Sequence, residues 1–188
     1  MIELSKGQEL ALTTDDGRPR TRLQLGLGWD KLPTAGAIGT GAPDIDLDAT
    51  AVQFAGDQLF DLAFYNNLQT RDGSVVHLGD NLTGRGDGDD EVLTVDLGAV
   101  YAKVDTIVLL VSSYHGHSLE WIDRAYVRLV DEHEEEFARF RLTAGVPQTG
   151  LVMAKLLRDG DQWRLRAIGE GIAVTVPTES VDALRPFL

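Results

Sequence analysis

The sequence predicts an all-β protein, an antiparallel two-sheet β-sandwich with a few short helices, one of them at the C-terminus. Three observations carry that expectation. Most apolar segments alternate with period two rather than 3.6, and β-branched residues fill the longest of them. Glycine, with 20 copies among 188 residues, punctuates the chain at fairly even intervals. Many short strands separated by turn signals are the pattern of a sandwich.

Taken in order, "TRLQLGLGW" sets Leu23, Leu25 and Leu27 on one face of a strand. In "PDIDLDATAVQF", Asp44, Asp46 and Asp48 share a face that continues as Thr50, Val52 and Phe54, with Ile45, Leu47, Ala49 and Ala51 opposite. Such a strand begins acidic and ends in the core, which places its carboxylates at one rim of the sandwich. "EVLTVDL" and "DTIVLLVSS" are β-branched strands, the second apolar on both sides, as a covered central strand would be. Between them "LGAVYAKV", residues 97 to 104, suits a turn or two of helix.

"AYVRLVD" and "EFARFRL" flank "DEHEEE", a tight polar turn between paired strands. "LVMAKLLRDGDQWRLRAI" repeats the arrangement, with Asp159-Gly160 as the hairpin turn. "TESVDALRPF" predicts a short helix capped by Thr178. No linker, low-complexity tract or internal repeat interrupts the chain, so residues 1–188 read as a single domain.

Composition narrows the function classes. A formal net charge of −13 repels nucleic acid and anionic membranes. The absence of cysteine removes disulfides, thiolate metal sites and cysteine nucleophiles. The polar start "MIELSKGQEL" has no signal-peptide character, and the longest apolar run, Ile107 to Val111, is of strand length. A cytoplasmic protein without a transmembrane segment is expected.

The acids are concentrated. In "GDNLTGRGDGDDE", residues 79 to 91, lie Asp80, Asp87, Asp89, Asp90 and Glu91 with only Arg85 against them, a local charge of −4. Like charges this close are costly without a counter-ion, which weighs against a merely solvated acidic turn. Hard carboxylate oxygens between glycines suit calcium. The stretch is not an EF-hand, although Asp80 and Glu91 hold the first and last of twelve positions: Leu82, Gly84 and Arg85 occupy its third, fifth and sixth. Asp46 and Asp48, at a strand start, and Asp30, after "GLGW", are further candidates at strand ends.

"LGLGWD", "DIDLDATA", "FYNNLQTRDGSVVHLGDNLTGRGDGDDE", "AYVRLVD" and "WRLRAIGEG" occur in an order that resembles the TerD family of tellurium-resistance and stress-response proteins. The resemblance spans essentially the whole chain and is most specific from Phe64 to Glu91. It implies a β-sandwich that binds calcium, usually two ions, through acids clustered at one end. The implied ligands are Asp80, Asn81, Asp87, Asp89, Asp90 and Glu91, completed by Asp46, Asp48 and Asp30. It also implies a role in resistance to tellurite and chemical stress, exerted with other proteins of a stress-response complex. Those partners could hold the protein peripherally at the inner membrane.

No catalytic motif was found: HExxH, GxSxG and GxxxxGK are all absent, and the glycine-rich "GAIGTGAP" lacks the P-loop lysine. A hydrolase using a calcium-held water, or a small-ligand (nucleotide) sensor, are the alternative readings. His115 and His117, two apart, could form half of a zinc site, but no third soft ligand is near in sequence; His77 reads as packing or a donor behind the ligands. Without thiols or a cofactor motif the chain has no electron source for reducing an oxyanion, so its part in resistance would be indirect.

Overall fold

The computed structural model describes residues 1–31, 46–79, 88–142 and 145–188, and of residues 30, 31 and 123 the backbone alone. "GAIGTGAP", Asp44, Asp80, Asn81 and Asp87 therefore lie outside the described residues. Among the described residues twelve strands run in chain order: β1 (Ile2–Leu4), β2 (Glu9–Ala11), β3 (Arg22–Lys31), β4 (Leu47–Ala55), β5 (Gln58–Ala63), β6 (Val75–His77), β7 (Glu91–Asp96), β8 (Thr106–Ser113), β9 (Ile122–Val130), β10 (Glu136–Arg141), β11 (Gly150–Asp159) and β12 (Gln162–Ile172). They form two six-stranded sheets, ordered β1-β10-β9-β3-β7-β6 and β2-β12-β11-β8-β4-β5. All pairings are antiparallel except β1 with β10, which is parallel.

The leucines of "TRLQLGLGW" face inward. Leu23, Leu25 and Leu27 pack with Leu93, Val95, Val127 and Leu129 of their own sheet against Ala49, Ala51, Leu109, Val111, Met153 and Leu165 of the other. Strand β8 is buried along its whole length, because a second apolar cluster covers the outer face of its sheet. There Val52, Phe54, Val108, Leu110, Val152 and Ile168 lie under Leu184 of the C-terminal segment. The face that begins with Asp48 and runs through Thr50, Val52 and Phe54 is thus the outer face of its sheet. It is buried under the chain's end rather than between the sheets.

Several local expectations are corrected. The β11–β12 turn is Gly160-Asp161, with Asp159 still paired to Gln162, because Gly160 takes the left-handed φ of +62°. The C-terminal helix α1 (Val181–Leu184) starts later than Thr178. Pro177 opens a 3₁₀ turn over Pro177–Glu179, and the Ser180 hydroxyl donates to the Pro177 carbonyl (2.6 Å). Residues 97 to 104 form turns rather than helix; Asp96 accepts from the backbone N–H groups of Gly98 and Ala99 (3.1 and 3.2 Å) and closes the first. His115 and His117 lie in the loop after β8, not on a strand.

The polar β9–β10 turn forms where expected and is pinned by Asp131. Its carboxylate accepts from the backbone N–H of His133 (2.9 Å) and Glu135 (3.1 Å), and from Arg20 (2.9 Å), whose guanidinium stacks on Phe137. Burial pushes the Asp131 carboxyl up, but these donors outweigh it and hold it below the ordinary value of 3.8. A depressed carboxylate contributes stability that is present above its unfolded pKa and lost as pH falls through the folded one. Asp131→Asn is therefore expected to lower stability at neutral pH and to flatten the acid limb below about pH 4, as read from urea midpoints across pH.

Candidate functional site: an acidic end of the sandwich

Strand direction gathers several of the predicted acids at one end. Antiparallel register sets Leu27 opposite Glu91, so the end of β3 meets the start of β7. Leu47 pairs with Ser113, so the start of β4 meets the end of β8. From Ser113 the chain reaches Ile122 through a short 3₁₀ turn (Leu119–Trp121), and Ile122 pairs with Lys31 at the end of β3. Both sheets therefore present these strand ends on the same side. Asp46 and Asp48, Asp90 and Glu91, and the backbone of Asp30 all lie there.

The acids at this end are unusually buried. Asp46 is 7% exposed, Asp48 3% and Glu91 1%. A desolvated carboxylate is costly unless other groups compensate it. Glu91 shares the inward face of its sheet with His77, whose Nε2 lies 2.9 Å from Glu91 Oε2. The backbone N–H of Gly79 donates to His77 Nδ1 (3.2 Å), which leaves Nε2 as the nitrogen that carries the proton in a neutral ring. His77 thus lies against a buried acid.

Asp89 and Asp90 are held differently. The Asp90 backbone N–H donates to the Leu27 carbonyl (2.8 Å), and its Oδ2 accepts from the Trp29 N–H (3.1 Å), so this residue laces β7 to β3 beyond their ladder. Asp89 lies across the outer face of the sheet, its side chain 4% exposed. Arg128 Nε is 2.8 and 2.9 Å from its two oxygens, and the Tyr126 hydroxyl donates at 3.1 Å. Tyr126 is also within reach of the Gly88 carbonyl (3.0 Å). Burial, reinforced by the Asp89 charge, pushes the Tyr126 phenol up to about 12, so it stays a donor. Glu136 is 3.5 Å from Arg128 and 2.6 Å from Arg139, which stacks on the Tyr126 ring.

This clasp explains the glycines of "LGLGW". Gly26 pairs with Arg128 and Gly28 with Tyr126, and both glycines face outward between the inward leucines. A Cβ on Gly26 would overlap the Asp89 carboxylate, and one on Gly28 would meet the Tyr126 ring. Gly26→Ala is expected to displace Asp89 and cost about 1–3 kcal/mol in a denaturant titration, whereas Gly56→Ala, with open space around its Cβ, should show only its backbone cost.

Of the predicted ligands, the structure brings Asp46, Asp48, Asp90 and Glu91 to one end, with Asp89 turned onto the adjoining face. Asp80, Asn81 and Asp87 belong to the stretch outside the described residues, which leaves Gly79 and returns at Gly88 beside these acids. Among the described residues no three acids or histidines converge as a complete metal cage. The rings of His115 and His117 lie 6.0 Å apart between centroids, and no third ligand joins them among the described residues. Arg128, Tyr126 and the His77–Glu91 contact were not foreseen as parts of the site. The alternation of Gly26 and Gly28 with leucines was the available signal, since outward glycines in a strand mark a close approach.

The fold and this end define a class: a β-sandwich with acids gathered at the strand ends of one side. The chain belongs to the TerD family, whose domain model matches residues 1–178. It is 39% identical over 184 residues to the tellurium resistance protein TerD of Serratia marcescens, covering 92% of this chain and 91% of that one. It is 35% identical to the stress response protein SCP2 of Bacillus subtilis, covering 90% and 92%. The crystal structure of a Streptomyces coelicolor homologue of the telluride resistance protein TerD superposes with a TM-score of 0.70 over 86% of this chain and 95% of that one. At 17% identity, this likeness concerns the fold alone.

Proposed function

We propose that this chain is a calcium-binding stress protein. It would hold two ions at the acidic end of the sandwich and act on tellurite and chemical stress indirectly, through protein partners in the cytoplasm. The observation that carries the reading is the burial of Asp46, Asp48 and Glu91 at the end from which the acidic stretch 80–87 departs and to which it returns. Buried carboxylates beside a dense acidic loop are a configuration that a divalent cation stabilises. The donor set also fits: oxygen only, with no thiol in the chain.

In this reading Asp46, Asp48, Asp90 and Glu91 supply oxygens from the strand ends, and Asp80, Asn81 and Asp87 supply them from the loop. Asp30 adds a third strand end. Asp89 contributes by fixing the loop's return against Arg128 and Tyr126, and His77 by holding Glu91. Among the described residues no helix is long and apolar enough to cross a membrane.

The test is selectivity. Calcium accepts irregular oxygen cages, whereas magnesium demands a strict octahedron and sheds water reluctantly. The stripped protein is expected to bind calcium at least about a hundredfold more tightly than magnesium in a competition titration. Equal affinities would contradict the proposed cage.

A further inference from the structure

On a chain with a net charge of −13, one concavity is cationic. It is a cleft of about 260 Å³ on the outer face of the β11–β12 sheet, running from the mid-strand pair Lys155 and Arg166 toward Glu170. Its charged lining is Lys6, Lys155, Arg166 and Glu170, three cations less one acid, or +2. Glu170 is already engaged, 3.5 Å from Lys6. Ile168, Pro186 and Phe187 make the apolar wall.

Two features are not explained by folding alone. Lys155 is 8% exposed, and its ammonium donates once, to the Phe187 carbonyl (2.6 Å); among the described residues no second acceptor meets it. Directly opposite it across the strands stands Arg166, with no carboxylate partner among the described residues. Like charges at facing positions destabilise a sheet. Glu9 faces Arg166 from β2, yet its carboxylate lies 3.3 Å from Arg164. Burial, and then the charge of Arg166, push the Lys155 pKa down. A lysine lying along the sheet to cap Phe187 would account for Lys155, but not for a second cation set against it.

We propose that this cleft binds the phosphate group of a small phosphate monoester, with the ester's carbon portion against Ile168, Pro186 and Phe187. A phosphate monoester carries about −1.5 to −2 charges at neutral pH, which matches the +2 of the lining. Its oxygens would take the spare Lys155 protons and the fork of Arg166, and charge-assisted bonds of this kind are the strong ones. A carboxylate would neutralise only one of the two cations. None of the candidate calcium ligands lines this cleft, and the inference does not rest on calcium binding.

The test is amide-shift mapping by NMR without added calcium, at constant ionic strength. Inorganic phosphate and phenyl phosphate would be titrated separately, with sodium chloride as control. The expected result is saturable shifts at Lys6, Lys155 and Ile168, with phenyl phosphate binding more tightly than inorganic phosphate because the apolar wall is used. Arg166→Gln, at an exposed position, should leave the fold intact and weaken binding about tenfold or more, and Lys155→Met should do the same. Shifts equal to those in chloride, no saturation, or unchanged affinity in both variants would overturn the proposal. Tighter binding of inorganic phosphate than of phenyl phosphate would overturn the assignment to an ester.

Discussion

Adding a chelator to the calcium-loaded protein is expected to lower its melting temperature by about 5 to 10 °C. A ligand that binds only the folded state adds RT ln(1 + [Ca]/Kd), about 2.7 kcal/mol at a hundredfold excess over Kd. For a domain of this size each kcal/mol is worth roughly 2 to 4 °C. The effect should be confined to one end of the molecule. The inter-sheet core around Leu25, Leu109 and Met153 is held by apolar packing, so secondary structure should persist at room temperature after chelation while the acidic end loosens. Hydrogen exchange would then speed up at Asp90 and Trp29, whose N–H groups bond across that end, and hold steady at Leu109. A melting temperature indifferent to chelator at neutral pH would contradict the calcium reading.

The second large effect is expected at Arg128. Replacing it by methionine keeps an apolar stem over the sheet but strips the guanidinium from Asp89, leaving a carboxylate 4% exposed with the Tyr126 hydroxyl as its remaining side-chain donor among the described residues. Breaking a buried ion pair on one side costs about 3–5 kcal/mol; Arg128 is itself 29% exposed, so water can enter and the loss should be nearer 2–3 kcal/mol. Arg128→Met with Asp89→Asn should recover much of that, because the orphaned charge is gone. Urea midpoints of the two variants measure this. Calcium affinity should fall in Arg128→Met as well, since the return of the acidic stretch at Gly88 is no longer clasped. A loss below about 0.5 kcal/mol would mean that the clasp is a surface ion pair of little consequence.

Much of the architecture was legible in the sequence, because period two is a strong signal wherever one face is buried. The alternating leucines of β3 and the doubly apolar β8 identified an inner face and a central strand. Strands β1, β2 and β6 are three residues long and too short to show a period, so neither the N-terminal strands nor the parallel pairing of β1 was visible. That the second sheet is covered was legible in the doubly apolar β8, but what covers it was not. Val52 and Phe54 look the same whether they face another sheet or the C-terminal segment, and only the tertiary structure says which.

At the acidic end, the sequence pattern singled out the acids but not the side chains that support them. Asp46, Asp48 and Glu91 could be singled out as acids at strand ends. That Asp89 turns onto the sheet's outer face toward Arg128 depends on register between strands far apart in sequence. The pairing of Gly26 with Arg128 is set by the whole sheet, not by either segment.

The most direct measurement is a calorimetric titration of calcium into the chelator-stripped protein, run in parallel on Asp48→Asn. The variant keeps the shape of a buried side chain and removes one charge from the acidic end. The account predicts saturable binding of two ions per chain in the parent. In Asp48→Asn it predicts loss of one site or a weakening of about tenfold or more, the loss of a charge-assisted contact being worth at least about 1.5 kcal/mol. No saturable heat in the parent, or identical isotherms for both proteins, would contradict it.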